Sequence, residues 1–366
     1  MITGPRAPLR LAQVSRFLST SASRKMSFPS QIKAVGIHKT GDFDVIENLT
    51  LPFPENAPGN MHYGGVNFID TYFRKGLYKI DQFPYVLGTE GAGTVAALPS
   101  DPSVVNDEEF KKRGLKVGSK VAAYAGNVGT FAEYASIPWT KVFPVPESVS
   151  LQTAAGLFVQ GLTALTFITE SYNVQRGDYI LVHTIAGGLG LQFAQLLKER
   201  GAIVIGTTST KEKAELAKSY GADHVILYKD ENVVERVLEI TKGEGVHAVF
   251  DGVGKDTFED NFKMLRRKGT LVSVGNASGA VPPFPPLKLV EKNLKLLRPT
   301  MGNYVYTAEE GRFYSSELFR FSSEGKLKVQ VHKEYSLTSE GVQQAQKDLT
   351  GGQTVGKLLV KIADEE

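Results

Sequence analysis

From about residue 151 onward, the chain alternates short apolar runs with amphipathic runs of helical spacing. The apolar runs at residues 178–183 and 202–206 have the length and composition of strands. Each is followed by a segment with helical periodicity, at residues 189–199 and 211–220. Four further strands are predicted in this part of the chain, at residues 224–228, 247–250, 270–274 and 293–297. This alternation predicts an α/β fold with a doubly wound parallel sheet.

The pattern before residue 151 is different. Between residues 31 and 150 the apolar residues form short β-type runs separated by turns, for example at residues 120–124 and 131–137. Such runs predict a mostly β domain. From about residue 302 the chain returns to mixed helix and strand, and it ends in a strand-like run at residues 357–362.

The composition is that of a soluble protein with two domains. Of the 366 residues, 42% are hydrophobic and 22% are charged, so the chain can bury a large core. The apolar region at residues 157–168 contains Gln160 and Gly161. No run therefore reaches the roughly 18–20 uninterrupted apolar residues of a membrane helix. We expect no membrane insertion.

The first 25 residues form a separate basic segment without Asp or Glu. Its five basic residues are spaced among apolar ones and are followed by a serine-rich stretch: Arg6, Arg10, Arg16, Arg24 and Lys25. This composition is typical of a mitochondrial transit peptide, and a disordered tail is the alternative. Met26 offers a second start, which would give a cytoplasmic form.

The net charge of +3 comes from that segment. From Met26 onward, 37 basic residues stand against 39 acidic ones, a net charge of −2. The body of the protein has no general electrostatic attraction to phosphate backbones, so nucleic acid is not expected as its main partner.

The chain contains no cysteine. This excludes disulfides, thiolate catalysis and every cysteine-containing zinc site. The six histidines are scattered, and none forms a motif such as H-E-x-x-H. We therefore predict no metal site.

A glycine-rich turn follows the first predicted strand of the α/β part. It has the sequence Ala186-Gly187-Gly188-Leu189-Gly190 and opens the next predicted helix. Backbone N–H groups at a helix N-terminus bind phosphate, and glycines allow the phosphate to approach closely. The turn therefore predicts a dinucleotide site.

The end of the second predicted strand indicates which dinucleotide binds. A site for NAD carries an acidic residue there, which binds the ribose 2′-hydroxyl. Here Gly206-Thr207-Thr208-Ser209-Thr210 contains no carboxylate and is followed by Lys211 and Lys213. These lysines suit the 2′-phosphate of NADP, which a carboxylate would repel. The alternative is that both are ordinary solvated lysines.

Several motifs together resemble one family over nearly the whole chain from Met26. They are Gly65-Val66-Asn67-Phe68-Ile69-Asp70-Thr71-Tyr72, Gly76-Leu77-Tyr78, Leu87-Gly88-Thr89-Glu90, the glycine turn, Asp251-Gly252-Val253-Gly254, and Val274-Gly275-Asn276-Ala277-Ser278-Gly279. The chain resembles the zinc-free quinone oxidoreductases related to zeta-crystallin, of the medium-chain dehydrogenase/reductase superfamily.

The resemblance implies a fold, a cofactor and an assembly. Residues 26–150 and 302–366 would form one GroES-like catalytic domain around a central Rossmann NADP-binding domain, residues 151–301. NADPH would be the electron donor, a quinone the acceptor, and the protein a homodimer.

The resemblance also implies individual site residues. Asn67 and Tyr72 would face the reacting ring, where each could donate a hydrogen bond to an oxygen that gains negative charge. Packing and turn formation are the alternative roles of these residues. The residues expected to contact the cofactor are Phe68, Ile69, Tyr72, Gly187, Gly188, Leu189, Ser209, Thr210, Lys213, Tyr228, Gly275, Asn276, Arg298, Pro299 and Thr300.

The related zinc alcohol dehydrogenases carry Gly-His-Glu where this chain has Gly88-Thr89-Glu90. Threonine cannot replace an imidazole on zinc, so the expected acceptors are already activated by conjugation. Quinone reduction is predicted, with an NADPH-dependent enone or alkenal reductase as the alternative. An RNA-binding role like that of zeta-crystallin relatives is the alternative of another class, and it would use a local basic strip such as Lys263, Arg266, Arg267 and Lys268.

Two segments depart from the family pattern. Relatives often carry an arginine for the 2′-phosphate shortly before Thr-x-Gly near the C-terminus, and residues 351–356 contain none. The stretch at residues 54–63 is four or five residues shorter than expected, which indicates either a truncated core strand before Gly65 or a sequence from an imperfect gene model.

Overall fold

A computed structural model of the protein describes residues 28–56, 59–126 and 128–365. The segment predicted to direct mitochondrial import, residues 1–25, lies outside the described residues, and this role stays a prediction.

The described residues contain sixteen strands. These are β1 (Gln31–Ile37), β2 (Glu47–Pro52), β3 (Gly59–Val66), β4 (Tyr85–Val86), β5 (Glu90–Val95), β6 (Lys120–Tyr124), β7 (Tyr134–Ala135), β8 (Val142–Pro144), β9 (Tyr179–Val182), β10 (Ile203–Thr208), β11 (His224–Leu227), β12 (Val246–Asp251), β13 (Leu265–Ser273), β14 (Lys295–Leu297), β15 (Val331–Ser336) and β16 (Lys357–Lys361).

Eleven α-helices lie in the same part of the chain, besides a few short turns of 3₁₀ and π type. They are α1 (Phe68–Arg74), α2 (Pro102–Val105), α3 (Glu108–Lys112), α4 (Leu151–Thr166), α5 (Gly188–Glu199), α6 (Lys211–Ser219), α7 (Val233–Ile240), α8 (Phe258–Met264), α9 (Met301–Tyr304), α10 (Ala308–Ser323) and α11 (Ser339–Thr350).

Six strands form a parallel sheet in the order β11-β10-β9-β12-β13-β14. Counted along the chain this is the order 3-2-1-4-5-6 of a doubly wound Rossmann sheet. The predicted α/β fold is thus confirmed. The strand order reverses between β9 and β12, so a crevice lies beyond the carboxyl ends of these strands, where such folds bind their ligands.

The other large sheet draws its strands from both ends of the chain. Its order is β15-β16-β3-β5-β6-β8, with β7 paired to β3, and β1 forms a small third sheet with β2 and β4. The C-terminal strand β16 runs antiparallel to β3, with Leu358 opposite Val66. A single sheet therefore combines strands from before and after the Rossmann sheet in the chain.

The strand predicted at residues 131–137 is wrong for most of its length, because only Tyr134–Ala135 forms one. Phe131 instead bridges two other segments through its backbone. Its carbonyl accepts a hydrogen bond from the Val35 N–H, and its own N–H donates to the Leu87 carbonyl. These contacts satisfy the peptide groups without a regular ladder.

The strand expected to be truncated is present as β3, and it pairs with β16, β5 and β7. Its register against β5 shifts between Met61 and Tyr63, which leaves His62 as an extra residue in a bulge. An apolar cavity of about 40 Å³ lies beside the first half of the strand, where Gly59 and Met61 face small residues of β5. The strand that follows the short segment is thus formed, but its first half is incompletely packed.

The helical segment Leu151–Ser171 is long and apolar enough to cross a membrane, although Gln160 and Gly161 lie within it. Gln160 and Gly161 therefore do not lower the apolar character of the segment as far as the sequence predicts. The most apolar window of the segment is 72% buried, and α4 lies in the main hydrophobic core, where it packs against α5 and against strands β3, β5 and β6. This burial accounts for its composition, as in a core helix of a soluble protein.

Candidate active site

The glycine turn lies directly beyond the carboxyl end of β9. Thr184 adopts a left-handed conformation, with φ of 55°, and the Gly187 N–H donates to its carbonyl at 2.9 Å. A Cβ atom at Gly190 would lie 2.4 Å from the same carbonyl oxygen. The turn therefore needs glycine for its own packing, and it places the N-terminus of α5 at the crevice, as a phosphate site requires.

The residues predicted for the adenosine end come together at the ends of β10 and β11. Thr210 is the N-cap of α6 and accepts a hydrogen bond from the Lys213 N–H. The Tyr228 N–H donates to the Thr208 carbonyl at 3.1 Å, and its side chain is 49% exposed. This surface has hydroxyl groups, an aromatic ring and an ammonium group. It lies beyond the end of β10, the second strand of the Rossmann sheet in chain order, where NAD sites place a carboxylate.

The Lys213 ammonium donates to the Gly352 carbonyl at 2.8 Å. Burial lowers the pKa of Lys213, and the nearby Lys229 charge lowers it further. Two cations beside each other favour an anion between or near them. The contact also places Lys213 against the loop in which the family's arginine is missing.

The other end of the crevice is bounded by both domains. The Tyr72 hydroxyl on α1 accepts a hydrogen bond from the Asn276 N–H at 3.4 Å. The Tyr72 ring packs edge to face against Tyr78 with a centroid distance of 5.6 Å. Burial raises the pKa of Tyr72. The phenol is therefore a neutral hydrogen-bond donor at neutral pH.

Arg298 lies beyond the end of β14 and is held by the backbone. Its Nη1 donates to the Ser273 carbonyl at 2.9 Å and to the Val274 carbonyl at 2.5 Å. The guanidinium thereby fixes the chain just before Gly275 and Asn276. Arg298 thus shapes the same end of the crevice that Tyr72 contacts.

Helix α1 carries Tyr72 and begins directly after Asn67, the two residues predicted to be catalytic. Asn67 is its N-cap, and the Asn67 N–H donates to Asp70 Oδ2 at 2.7 Å. Asp70 is fully buried, and burial raises its pKa to about 7. Phe68, at the start of the helix, is 37% exposed, so part of its ring is free to contact a ligand.

A buried ion pair lies behind Asn67. The side chains of Glu90 on β5 and Lys357 on β16 are 0% and 1% exposed and form a salt bridge. Lys357 Nζ also donates to Asn67 Oδ1 at 2.9 Å, and Asn67 Nδ2 donates to Glu90 Oε1 at 2.7 Å. The second carboxylate oxygen, Oε2, accepts from the Val159 N–H on α4 at 2.7 Å. Both charges are thus paired and hydrogen-bonded, as burial requires.

This arrangement fixes the orientation of the Asn67 amide. A lysine ammonium only donates hydrogen bonds, so Lys357 must face the amide oxygen, and the amide nitrogen then faces Glu90. The other contacts of Nδ2, to Gly65 O and Thr89 Oγ1, are both 3.4 Å long. One N–H of Asn67 is therefore only weakly engaged by the protein and remains able to bind another acceptor.

The comparisons with known proteins agree with this architecture. Residues 60–147 match the alcohol dehydrogenase GroES-like domain, and residues 188–315 match the zinc-binding dehydrogenase family. A probable quinone oxidoreductase of Schizosaccharomyces pombe is 37% identical over 330 residues, which are 89% of this chain and 96% of that protein. The chain belongs to the quinone oxidoreductase family.

Solved structures of the quinone oxidoreductase family have the same fold. The Escherichia coli quinone oxidoreductase complexed with NADPH superposes with a TM-score of 0.83 and 34% identity, covering 90% of this chain and 99% of that one. The quinone oxidoreductase of Pseudomonas syringae pv. tomato gives a TM-score of 0.84 at the same identity and coverage. The predicted family and the predicted pairing of a Rossmann sheet with a GroES-like domain are both confirmed.

One motif shared with quinone oxidoreductases has a structural role in this chain. The Asp251 carboxylate at the end of β12 accepts hydrogen bonds from Val253 N, Thr257 Oγ1 and Asn261 Nδ2, at 2.7–2.8 Å. Asn261 in turn bonds Nε2 of the buried His183 at 2.8 Å. This network shapes the turn after β12 and leaves the Asp251 carboxylate fully engaged.

Sequence reasoning gave no role to Glu90, Lys357 or Gln160. Glu90 stood inside a quoted motif, and Lys357 opens the last predicted strand. A charged residue within an otherwise apolar strand was the available signal, because such residues are almost never fully buried unless paired. For Gln160 the sequence predicts only an interruption of an apolar run.

Proposed function

We propose that the protein reduces quinones with NADPH by direct hydride transfer and without a metal ion. The observation that carries this proposal is one crevice with two chemically different ends. A cationic end without a carboxylate contains Lys213, and a hydrogen-bond donor end contains Tyr72 and Asn67. The glycine turn lies between them.

The described residues fit NADPH. The N-terminus of α5 suits the pyrophosphate, and the open surface around Thr210, Lys213 and Tyr228 suits the 2′-phosphate. Lys229 adds positive charge beside Lys213 and compensates in part for the arginine missing from residues 351–356. When bound, NADPH supplies the hydride that, with one proton, converts a quinone to a hydroquinone.

In this reaction the protein orients the acceptor and stabilises the charge that develops on it. The acceptor oxygen becomes more negative during the reaction, so donors placed near it bind more strongly in the transition state than in the ground state. The Tyr72 phenol is neutral at neutral pH already at its ordinary pKa of about 10, and burial raises that pKa further. Thr89 stands where zinc enzymes carry histidine, and a conjugated acceptor needs orientation more than a Lewis acid.

The test is an NADPH oxidation assay with ortho-quinones, para-quinones and enones, carried out in the presence of a metal chelator. We expect rapid oxidation with quinones and full activity in chelator. Turnover confined to enones or alkenals would favour that alternative activity. Stoichiometric zinc, lost together with activity on chelation, would contradict the metal-free mechanism.

Cofactor preference is tested by Lys213→Ala. We expect NADPH affinity to fall by about tenfold to over a hundredfold, because a charge-assisted hydrogen bond is worth roughly 1.5–3 kcal/mol. NADH affinity should barely change, since NADH has no 2′-phosphate. Titration of the cofactor fluorescence measures both affinities.

The matched control for Lys213→Ala is Lys218→Ala on the same helix, whose ammonium is paired with Glu215. This control should bind both cofactors as the wild type does. If Lys213→Ala weakens NADPH and NADH equally, the 2′-phosphate assignment is wrong, and the effect would come from the lost contact with Gly352.

Two of the four residues of the proposed basic strip are already engaged within the protein, which does not favour the RNA-binding alternative. Lys263 is paired with Asp260 at 2.7 Å, and Arg266 is hydrogen-bonded to His247.

The homodimer stays a prediction from the family resemblance.

A further inference from the structure

Gln160 lies on α4 and is partly buried, with its amide oxygen enclosed by the protein. Its Oε1 atom is inaccessible to solvent and accepts no hydrogen bond from the described part of the protein. Buried polar atoms are nearly always paired, so an unpaired one calls for a specific explanation. A bound ligand would supply the missing partner.

One side of the Gln160 amide faces the glycine turn. A Cβ atom on Gly188 would lie 2.4 Å from Gln160 Oε1 and 2.8 Å from Nε2. Gly188 is the first residue of α5. The amide is therefore in direct contact with the helix end that suits the pyrophosphate.

The backbone next to Gln160 leads to the opposite end of the crevice. The N–H of the preceding residue, Val159, donates to Glu90 Oε2 at 2.7 Å, and Glu90 Oε1 accepts from Asn67 Nδ2 at 2.7 Å. Gln160 is thus one residue away from the cluster that holds Asn67. It stands between the pyrophosphate turn and the proposed position of the reacting ring.

The covalent structure of NADPH decides what occupies this position. Its nicotinamide ribose joins the pyrophosphate to the nicotinamide ring, so the ribose must cross the space between Gly188 and Asn67. Ribose hydroxyls donate and accept hydrogen bonds, and a glutamine amide does both as well. We propose that Gln160 binds the nicotinamide ribose and thereby positions the reacting ring. This inference rests on the proposed use of NADPH.

The variant Gln160→Leu tests this inference because it keeps most of the side-chain volume and removes the amide. Two probes are titrated. NADPH carries the nicotinamide ribose, and adenosine 2′,5′-bisphosphate carries the 2′-phosphate without it. We expect NADPH affinity to fall by roughly two- to tenfold, the range for one neutral hydrogen bond, and the bisphosphate affinity to stay unchanged.

Gln152→Leu is the matched control. Gln152 lies on the same helix, and its amide donates to Glu334 instead of facing the turn, so both affinities should stay at the wild-type level. An unchanged NADPH affinity in Gln160→Leu would overturn the inference. Equal losses for both probes would also overturn it, since they would show a distorted turn. Failure of the wild type to bind NADPH would instead contradict the proposed function itself.

Discussion

Replacing Lys357 with methionine is expected to destabilise the protein by roughly 3–5 kcal/mol, the usual loss when one partner of a buried ion pair is removed. The Glu90 carboxylate would remain fully buried without its cation. Asn67 Oδ1 would lose the donor at 2.9 Å as well. The midpoint and the slope of denaturant unfolding, followed by circular dichroism, measure the loss.

Two further variants separate this effect from general damage to the strand. Lys361→Met removes an exposed ammonium of β16 that pairs with Asp364, and its effect should stay below about 1 kcal/mol. The double variant Lys357→Met/Glu90→Leu should be more stable than Lys357→Met alone, because no unpaired charge is left inside. A loss below about 1 kcal/mol for Lys357→Met would show that water or another group compensates Glu90.

Removing one of the proposed donors to the acceptor oxygen should lower turnover by about 10- to 1000-fold, where the upper value is that of a dedicated oxyanion donor. Tyr72→Phe is the cleaner test, since only the hydroxyl is lost. The hydrogen bond that the Tyr72 hydroxyl accepts from the Asn276 N–H is long, at 3.4 Å. Asn67→Ala also breaks the bonds to Glu90 and Lys357, so its effect on stability must be measured together with turnover. Quinones are intrinsically reactive, so we expect the lower part of the range.

Turnover with a quinone and NADPH affinity by fluorescence are measured separately for these variants. Tyr134→Phe is the control, because Tyr134 lies on β7 and packs against Phe53, away from the crevice. If Tyr72→Phe and Asn67→Ala keep wild-type turnover, or lose it only through weaker NADPH binding, the catalytic assignment is wrong. Hydride transfer would then depend on proximity alone.

The Rossmann sheet could be predicted from the sequence because its central strands are largely buried and appear as continuous apolar runs. All six strands were located, with boundaries within two residues except at the start of β13, which begins five residues earlier than predicted. The predicted cofactor residues on this sheet all follow the carboxyl end of a strand. Parallel topology alone brings these ends together, so local sequence was sufficient to place them at one crevice.

The buried ion pair could not be predicted in the same way. Glu90 and Lys357 are 267 residues apart, and no periodicity links them. Their pairing depends on the register of β16 against β3 and of β3 against β5, which only the folded sheet defines. The unpaired amide oxygen of Gln160 could not be predicted for a related reason, since it depends on how closely α4 approaches the glycine turn.

The position of β16 has a consequence for synthesis of the protein on the ribosome. β3 emerges early, yet its neighbour β16 follows about 290 residues later, as the Asn67–Lys357 separation shows. At translation rates of about 5–20 residues per second, β3 waits roughly 15–60 s with one edge open. Open apolar edges pair readily with other chains. The nascent chain is therefore exposed to association through this edge until its last strand arrives, and a stop codon before Lys357 would leave that edge open permanently.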